Sequence, residues 1–554
     1  MSSVGLPSAT TAALLGTVTL CLGTLCLATA SPSFAEWSGA AQDDQISFDD
    51  NEYARGVQVI TDEQYLYAFW MEDSPTTREV LFARSTDAGL TWSSTGADRE
   101  ISFPDGNAAY EEPAVAVDPL QERVIVVWSE DLDGTREVHF GISNDLGVSF
   151  TSETGDATLS DPTSAVDTFV PSVVIDLSGT IHVVWHQSID GTAEICYSRS
   201  TDGGATWSGT SGDRVISFPD GNGGAEPKIM LGSDGRLIVV WKEASDLGGR
   251  VLQVGISDDG GDTWSSETAD REISQPVNLM TGTDAASGLG GTDELFAIYA
   301  GSFDVSSPFH YETYVTMSTD NGDTWSGESS TVPVSWDDDH TRSTSNPDVF
   351  YSRCGGAIVA WDEADDTAGS NEIHISELDG GVWSGATEDY IVSFPDGENG
   401  YRPSIAGIFD TAIVPATGGT PDADTWILWT EFEGGATDNY EVHQSSTARC
   451  AASAVPDVAH VSPLRLDVRP NPAQGPLRIT VEWTQDVDAA IPGETCDFAV
   501  FDAAGRQLFT RSSELVGGRA EFVWDPSEAL APSGVFFVRA RLGSEVQRRT
   551  VVVK

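Results

Sequence analysis

The sequence predicts an all-β protein: a seven-bladed β-propeller followed by a small β-sandwich. Three observations carry this. An eight-residue segment, Ser85 to Trp92 with the pattern S-x-D-x-G-x-T-W, is written again from Ser143, Ser200, Ser257 and Ser318, and in worn form from Ser376, at spacings of 58, 57, 57, 61 and 58 residues. Self-similarity at a fixed period marks one supersecondary unit stacked on copies of itself. An apolar strand ending in Trp recurs at Trp70, Trp128, Trp185, Trp241, Trp361 and Trp429, with Ala297-Ile298-Tyr299 in the remaining unit, which makes seven units. A short Ile-Ser-Phe strand also occurs seven times, starting at Ile46, Ile101, Leu159, Ile216, Ile273, Val334 and Val392, but displaced so that the first copy precedes the first unit. A circular array accounts for the displacement: the Ile46 strand completes the last blade beside Val442 and removes the open edge.

In chain order, residues 1–35 read as an export signal: an apolar run from Ala12 to Leu27 with small-residue cleavage options after Ala30 or Ala35, although no Lys or Arg precedes the run. Residues 43–449 form the array. Each unit holds several short β-rich runs separated by turn signals, the texture of propeller blades. Within the repeated segment, Asp accepts hydrogen bonds from the turn backbone, Gly supplies positive φ and Trp fills the space between neighbouring units. Residues 450–463 read as a linker, and 464–554 as a small sandwich with alternating strands and nearly balanced charge, 11 Lys+Arg against 12 Asp+Glu.

S-x-D-x-G-x-T-W is similar to the Asp-box, the bacterial neuraminidase repeat. The resemblance implies a propeller in which Asp87, Asp145, Asp202, Asp259 and Asp320 are structural turn residues remote from any active site. Seven blades depart from the six typical of sialidases. The C-terminal segment, with Pro470-Asn471-Pro472, Val500 to Arg506, Gly534 to Phe537 and a terminal Val-Val-Val-Lys554, resembles the type IX secretion sorting domain, an Ig-like module related to flagellar hook-capping proteins. It implies contact with export machinery and a location outside a bacterial cell or on its surface.

Composition narrows the partners. A net charge of −59, with only three lysines (Lys228, Lys242, Lys554), excludes nucleic acid and anionic membrane as natural partners, and no stretch after the signal is long and apolar enough to span a bilayer. Four cysteines remain after the signal, Cys196, Cys354, Cys450 and Cys496, too few for a disulfide framework. No cofactor is called for. The segments after each Trp (Glu72-Asp73, Glu130-Asp131, Glu243, Asp362-Glu363, Glu431) read as acidic loops, oxygen-rich in the manner of Ca²⁺ sites, while the recurrence of W-x-E points to a role within the blade.

Loops entering each innermost strand align beside Pro: Arg55-Gly56, Glu112-Pro113, Val170-Pro171, Glu226-Pro227, Asn346-Pro347 and Arg402-Pro403. Their side chains are expected to ring the channel mouth, opposite the Asp-boxes. A sialidase reading needs Arg55, Arg402 and Arg342 converging on one carboxylate, Tyr53 or Tyr401 as nucleophile, and Glu112 or Glu226 to activate it. The resemblance implies the arginines and the tyrosine. Two classes of function follow: a non-catalytic propeller that binds glycan or an extracellular protein at an acidic mouth, and an exo-sialidase or related glycoside hydrolase.

Overall fold

The computed structural model describes Ser38, residues 44–48, most of 52–447 (breaks at 63–64, 74–76, 95, 119–120, 133, 177, 288–292, 305–309, 336–342, 353–355, 365–369, 380, 387–389, 395–397, 408–424 and 434–438) and strand segments between 464 and 553. The expected export signal, the linker, Arg342, Asp337 to Asp339, Cys354 and Cys450 lie outside the described residues. Among the described residues there is no α-helix, only strands, turns and short 3₁₀ segments, and no helix long and apolar enough to cross a membrane.

Residues 53–447 are arranged as successive antiparallel groups. The first group consists of Tyr53–Thr61, Leu66–Asp73, Arg78–Ser85 and the two-residue Arg99–Glu100. The same order recurs in groups that open with Ala109–Asp118, Thr168–Ile175, Ala225–Leu231, Leu279–Ser287, Thr344–Ser352 and Gly400–Gly407. These first strands lie side by side in that order, and the one at Gly400–Gly407 lies beside Tyr53–Thr61. A single parallel bridge, Tyr53 to Tyr440, joins the seventh group to the first.

The Ile46 strand sits where the displaced repeat places it. Asp44 and Gln45 pair with Gln444 and His443, and the Ile46 amide donates to the Val442 carbonyl at 2.7 Å. The same bond recurs from Ile101 to Val80, Leu159 to Val138, Ile216 to Ile195, Ile273 to Leu252, Val334 to Thr313 and Val392 to Ile373. The serine that follows locks it: Ser47 Oγ donates to Glu441 at 2.6 Å and accepts from the Val442 amide at 2.8 Å, as Ser102 does with Glu79 and Val80.

Apolar cores lie between neighbouring groups. One takes Ile46, Trp426, Leu428 and Val442 from the last group and Trp70, Leu81 and Trp92 from the first. Another joins Phe69 and Phe82 to Val124, Trp128 and Phe150. The repeated aromatic plugs backwards: Phe150 stands edge-on to Phe82 at 5.1 Å, Trp207 packs on Phe140 at 5.1 Å and Trp264 on Tyr197 at 5.2 Å. Burial of a ring of this size is worth about 2–3 kcal/mol.

The C-terminal strands form a three-stranded sheet (Leu464–Arg469, Leu477–Trp483, Arg519–Trp524) and a four-stranded one (Gln507–Glu514, Thr495–Asp502, Gly534–Leu542, Glu545–Val553). Both contribute to one core, where Phe498 meets Phe522 at 4.7 Å. Cys196 is a buried, unpaired thiol in the third group.

Candidate functional site

The two ends of each group have different chemistry. Leu66 pairs with both Thr61 and Ser85, whereas Asp73 pairs with Tyr53 and Arg78, so the Asp-box and the Tyr53–Asp73–Arg78 end are at opposite ends of the strands. Each Asp-box is a closed turn. Asp87 accepts from the Thr91 amide at 2.9 Å and the Thr91 hydroxyl at 2.6 Å, while Ser85 Oγ bridges Asp87 and the Gly89 amide. Asp145, Asp202, Asp259 and Asp320 repeat this, and their Thr or Ser donors hold these carboxyls below the usual range, Asp259 to about 2. Arginines of the preceding group clamp three boxes from outside: Arg99 donates to the Gly147 and Val148 carbonyls, Arg214 to those of Gly261 and Asp262, and Arg271 to that of Asp323.

At the other end, every first strand slips register once, and one residue there takes a left-handed conformation: Gly56, Glu111, Val170, Glu226, Gly282, Asn346 and Arg402, with φ between 47° and 62°. Four of these precede proline, where the helical regions are disfavoured, so the bulges are strained. The sequence alignment at this position is corrected twice. Gly56 and Glu111, not Arg55 and Glu112, are the equivalents of Glu226 and Arg402, because the bulge is set by backbone register and not by distance to proline. Gly282 supplies the copy in the group where no Pro motif marks it.

Of the three arginines expected to converge, the structure describes Arg55 and Arg402. Arg55 donates to Asp73 at 2.8 Å and lies over the Tyr53 ring at 4.5 Å. Arg402 is ion-paired with Glu112 across 290 residues. Gly56 makes that reach possible, since a Cβ there would stand 2.3 Å from Glu112 Cγ. Glu226 is ion-paired with Lys242. Burial, Tyr440 and Asp362 push the Tyr401 hydroxyl up, the opposite of what a phenolate nucleophile requires.

A residue absent from the sequence reading, Tyr440, connects these side chains. Its ring lies 4.4 Å from Tyr53 and 6.1 Å from Tyr401. From Tyr53 the contacts continue through Arg55, Asp73 and Arg78, whose Nε donates to Asp73 at 2.6 Å. Arg78 lies 5.7 Å from the Tyr110 ring, Arg136 lies 3.8 Å from Tyr110 and 5.3 Å from Phe169, and Phe169 stacks on His186 at 5.3 Å. The result is an arc of half-buried rings with guanidinium groups, Arg55 exposed among them and Asp73 bridging Arg55 to Arg78, over the seventh, first, second and third groups. Beyond it, Lys228 reaches Asp284 at 3.3 Å and Asp348 accepts from the Ile405 amide at 2.6 Å.

The acidic loops are also corrected. Glu72, Glu130, Glu243, Glu363 and Glu431 lie inside strands and are buried. Each accepts a hydrogen bond from the indole two residues earlier, at 2.6–3.0 Å. Gln187 does the same for Trp185 at 2.8 Å. Asp362 accepts from Ser345, Asn346 and the Arg402 amide. The period-two spacing of W-x-E puts both side chains on one face of the strand, the signal that identifies this bond.

Residues 111–328, less than half of the chain, match the family described as BNR repeat-like domain. No curated protein matches. Among solved structures, the chain is similar to a protein of unknown function from Dyadobacter fermentans (12% identity, 73% of this chain and 98% of that one, TM-score 0.41). It is similar also to a polysaccharide lyase described as an ulvan lyase (11%, 72% and 95%, TM-score 0.46). A third is the NanB sialidase from Streptococcus pneumoniae (14%, 74% and 69%, TM-score 0.37).

Proposed function

We propose that this is an exported, non-catalytic glycan-binding protein: a seven-bladed propeller whose ligand lies on the arc from Tyr401 to His186. One observation carries the reading, the run of ring faces and arginines across four neighbouring groups. Sugars present apolar C–H faces that pack on aromatic rings, and hydroxyls that accept from guanidinium donors. An Asp-box array with the Ile46 strand closing the last blade supports the propeller, and the BNR repeat-like match supports a carbohydrate context. The pairing of Arg55 with Asp73, Arg402 with Glu112 and Glu226 with Lys242 favours binding over hydrolysis. With a net charge of −59, neutral glycans suit the arc better than anionic ones. In this reading residues 1–35 are the export signal and 464–554 an Ig-like sorting domain, with the propeller displayed outside the cell.

The test is a binding screen of the purified protein against neutral and acidic oligosaccharides, beside a fluorogenic sialoside assay. Tyr110→Ala is expected to weaken neutral-glycan binding at least tenfold with the fold intact. Release of sialic acid, lost in Arg402→Ala, overturns the reading in favour of the hydrolase.

A further inference from the structure

The hydrogen bond from Trp to the glutamate two residues on leaves one carboxylate oxygen over, and the groups dispose of it differently. In the third group the position is Gln187, whose Nε2 donates to Asp213 at 2.9 Å, and Cys196 stands across from Trp185. The amide supplies the N–H that Asp213 needs. In the second group the corresponding residues are Glu130, Asp156 and His139. Glu130 and His139 are 0% and 3% exposed. Glu130 Oε1 and both ring nitrogens of His139 have no hydrogen-bond partner, and Glu130 Oε1 lies 4.0 Å from His139 Nδ1. One ligand atom from each of Glu130, His139 and Asp156 falls within 4.8 Å of the others. A buried carboxyl and a buried imidazole with unmatched polar atoms, set beside the half-buried Asp156, are costly unless a shared proton or a cation completes them.

We propose that Glu130, His139 and Asp156 bind one divalent cation of the Zn²⁺ class at the junction of the first and second groups. One imidazole nitrogen with two carboxylates suits a borderline ion better than Ca²⁺, which prefers oxygen alone. The outer contacts that orient metal ligands are present. The Trp128 indole fixes Glu130 at 2.6 Å, and the Phe103 amide, on the outer edge of the first group, fixes Asp156 at 3.1 Å. The ion therefore ties two neighbouring groups together. In the first group Leu81 stands where His139 does, and the same place is a cavity of about 270 Å³ lined by Glu72, Glu79 and Asp98.

The experiment uses the full exported chain, free of any histidine tag, stripped with chelator and then titrated with Co²⁺ and Zn²⁺. Wild type is expected to hold one equivalent more of either metal than Glu130→Gln or His139→Gln, to show visible Co²⁺ absorption bands, and to melt higher with Zn²⁺. Both substitutions have a natural precedent in this chain, Gln187 at the first position and Gln253 across from Trp241 at the second, and circular dichroism confirms that each variant is folded. Equal metal content in wild type and both folded variants overturns the proposal. So does a Glu130→Gln protein that melts above wild type irrespective of Zn²⁺, the signature of a proton shared between the two carboxyls in place of a metal.

Discussion

Individual side chains divide between the Asp-box turns and the opposite strand ends, here called the mouth, and the two respond differently to substitution. Asp87 and Asp202 each hold their turn through Thr and Ser donors. Asp87→Ala or Asp202→Ala is expected to cost about 1 kcal/mol, read as a lower Tm with glycan binding unchanged. At the mouth, Gly56→Ala meets both a left-handed backbone and Glu112. It should weaken glycan binding by breaking the Arg402–Glu112 pair, and calorimetry with the identified glycan checks this. Titration separates the turn carboxyls from those that lock the outer strands. Burial raises Glu79 to about 7, against the Ser102 hydrogen bond. A carboxyl raised on folding stabilises most when protonated, so this contribution is full below the unfolded value near 4.5 and is lost as pH rises through about 7. Asp259, held at about 2, works in reverse, and its contribution is lost as pH falls through that value. Tm against pH for Glu79→Gln should therefore be flatter than wild type between about 4.5 and 7; an identical slope would show that Glu79 is not the group involved.

Legibility differed sharply between elements. The Asp-box, the Trp strand and the Ile-Ser-Phe strand repeat as residues, so turn, second strand and outer strand were all readable, including the displacement that pairs Ile46 with Val442. The mouth was read less well. Its bulge is a property of backbone register, which Gly56, Glu111 and Gly282 reveal only as positive φ; the sequence pattern misplaced two of the six copies it aligned and missed the seventh. Glu130 looked like a loop ligand because a strand that stays buried to its end has no polar alternation to mark it. Tyr440 and His139 matter through cross-strand neighbours, which sequence separation hides. The outer strand has its own consequence: Ile46 is 1% exposed in the core joining the last and first groups. Ile46→Ala should cost about 3 kcal/mol, measured by chemical denaturation, more than the loss of any single Asp-box carboxylate.

For the whole chain, charge sets the conditions under which these contacts are felt. With 87 acidic residues against 28 basic ones, self-repulsion opposes the compact state, and the arginines are spent on clamping Asp-boxes and bridging the mouth. Raising ionic strength from about 0.01 to 0.15 M shortens the screening length from about 30 to 8 Å, so Tm should climb with added NaCl. A Tm that falls would mean that the arginine pairs outweigh the repulsion.

The bond between Ser47 and Glu441 joins residues 394 positions apart, and this bears on how the protein comes into being. The segment that finishes the last sheet must wait, exposed, for a partner made hundreds of residues later. Contacts of that span slow folding, because the intervening chain has to be organised before they form. A ribosome-bound chain lacking residues 439–447 therefore carries an unsatisfied edge at each end. Holding the chain unpaired until the last repeat is complete would spare both edges from pairing with another copy.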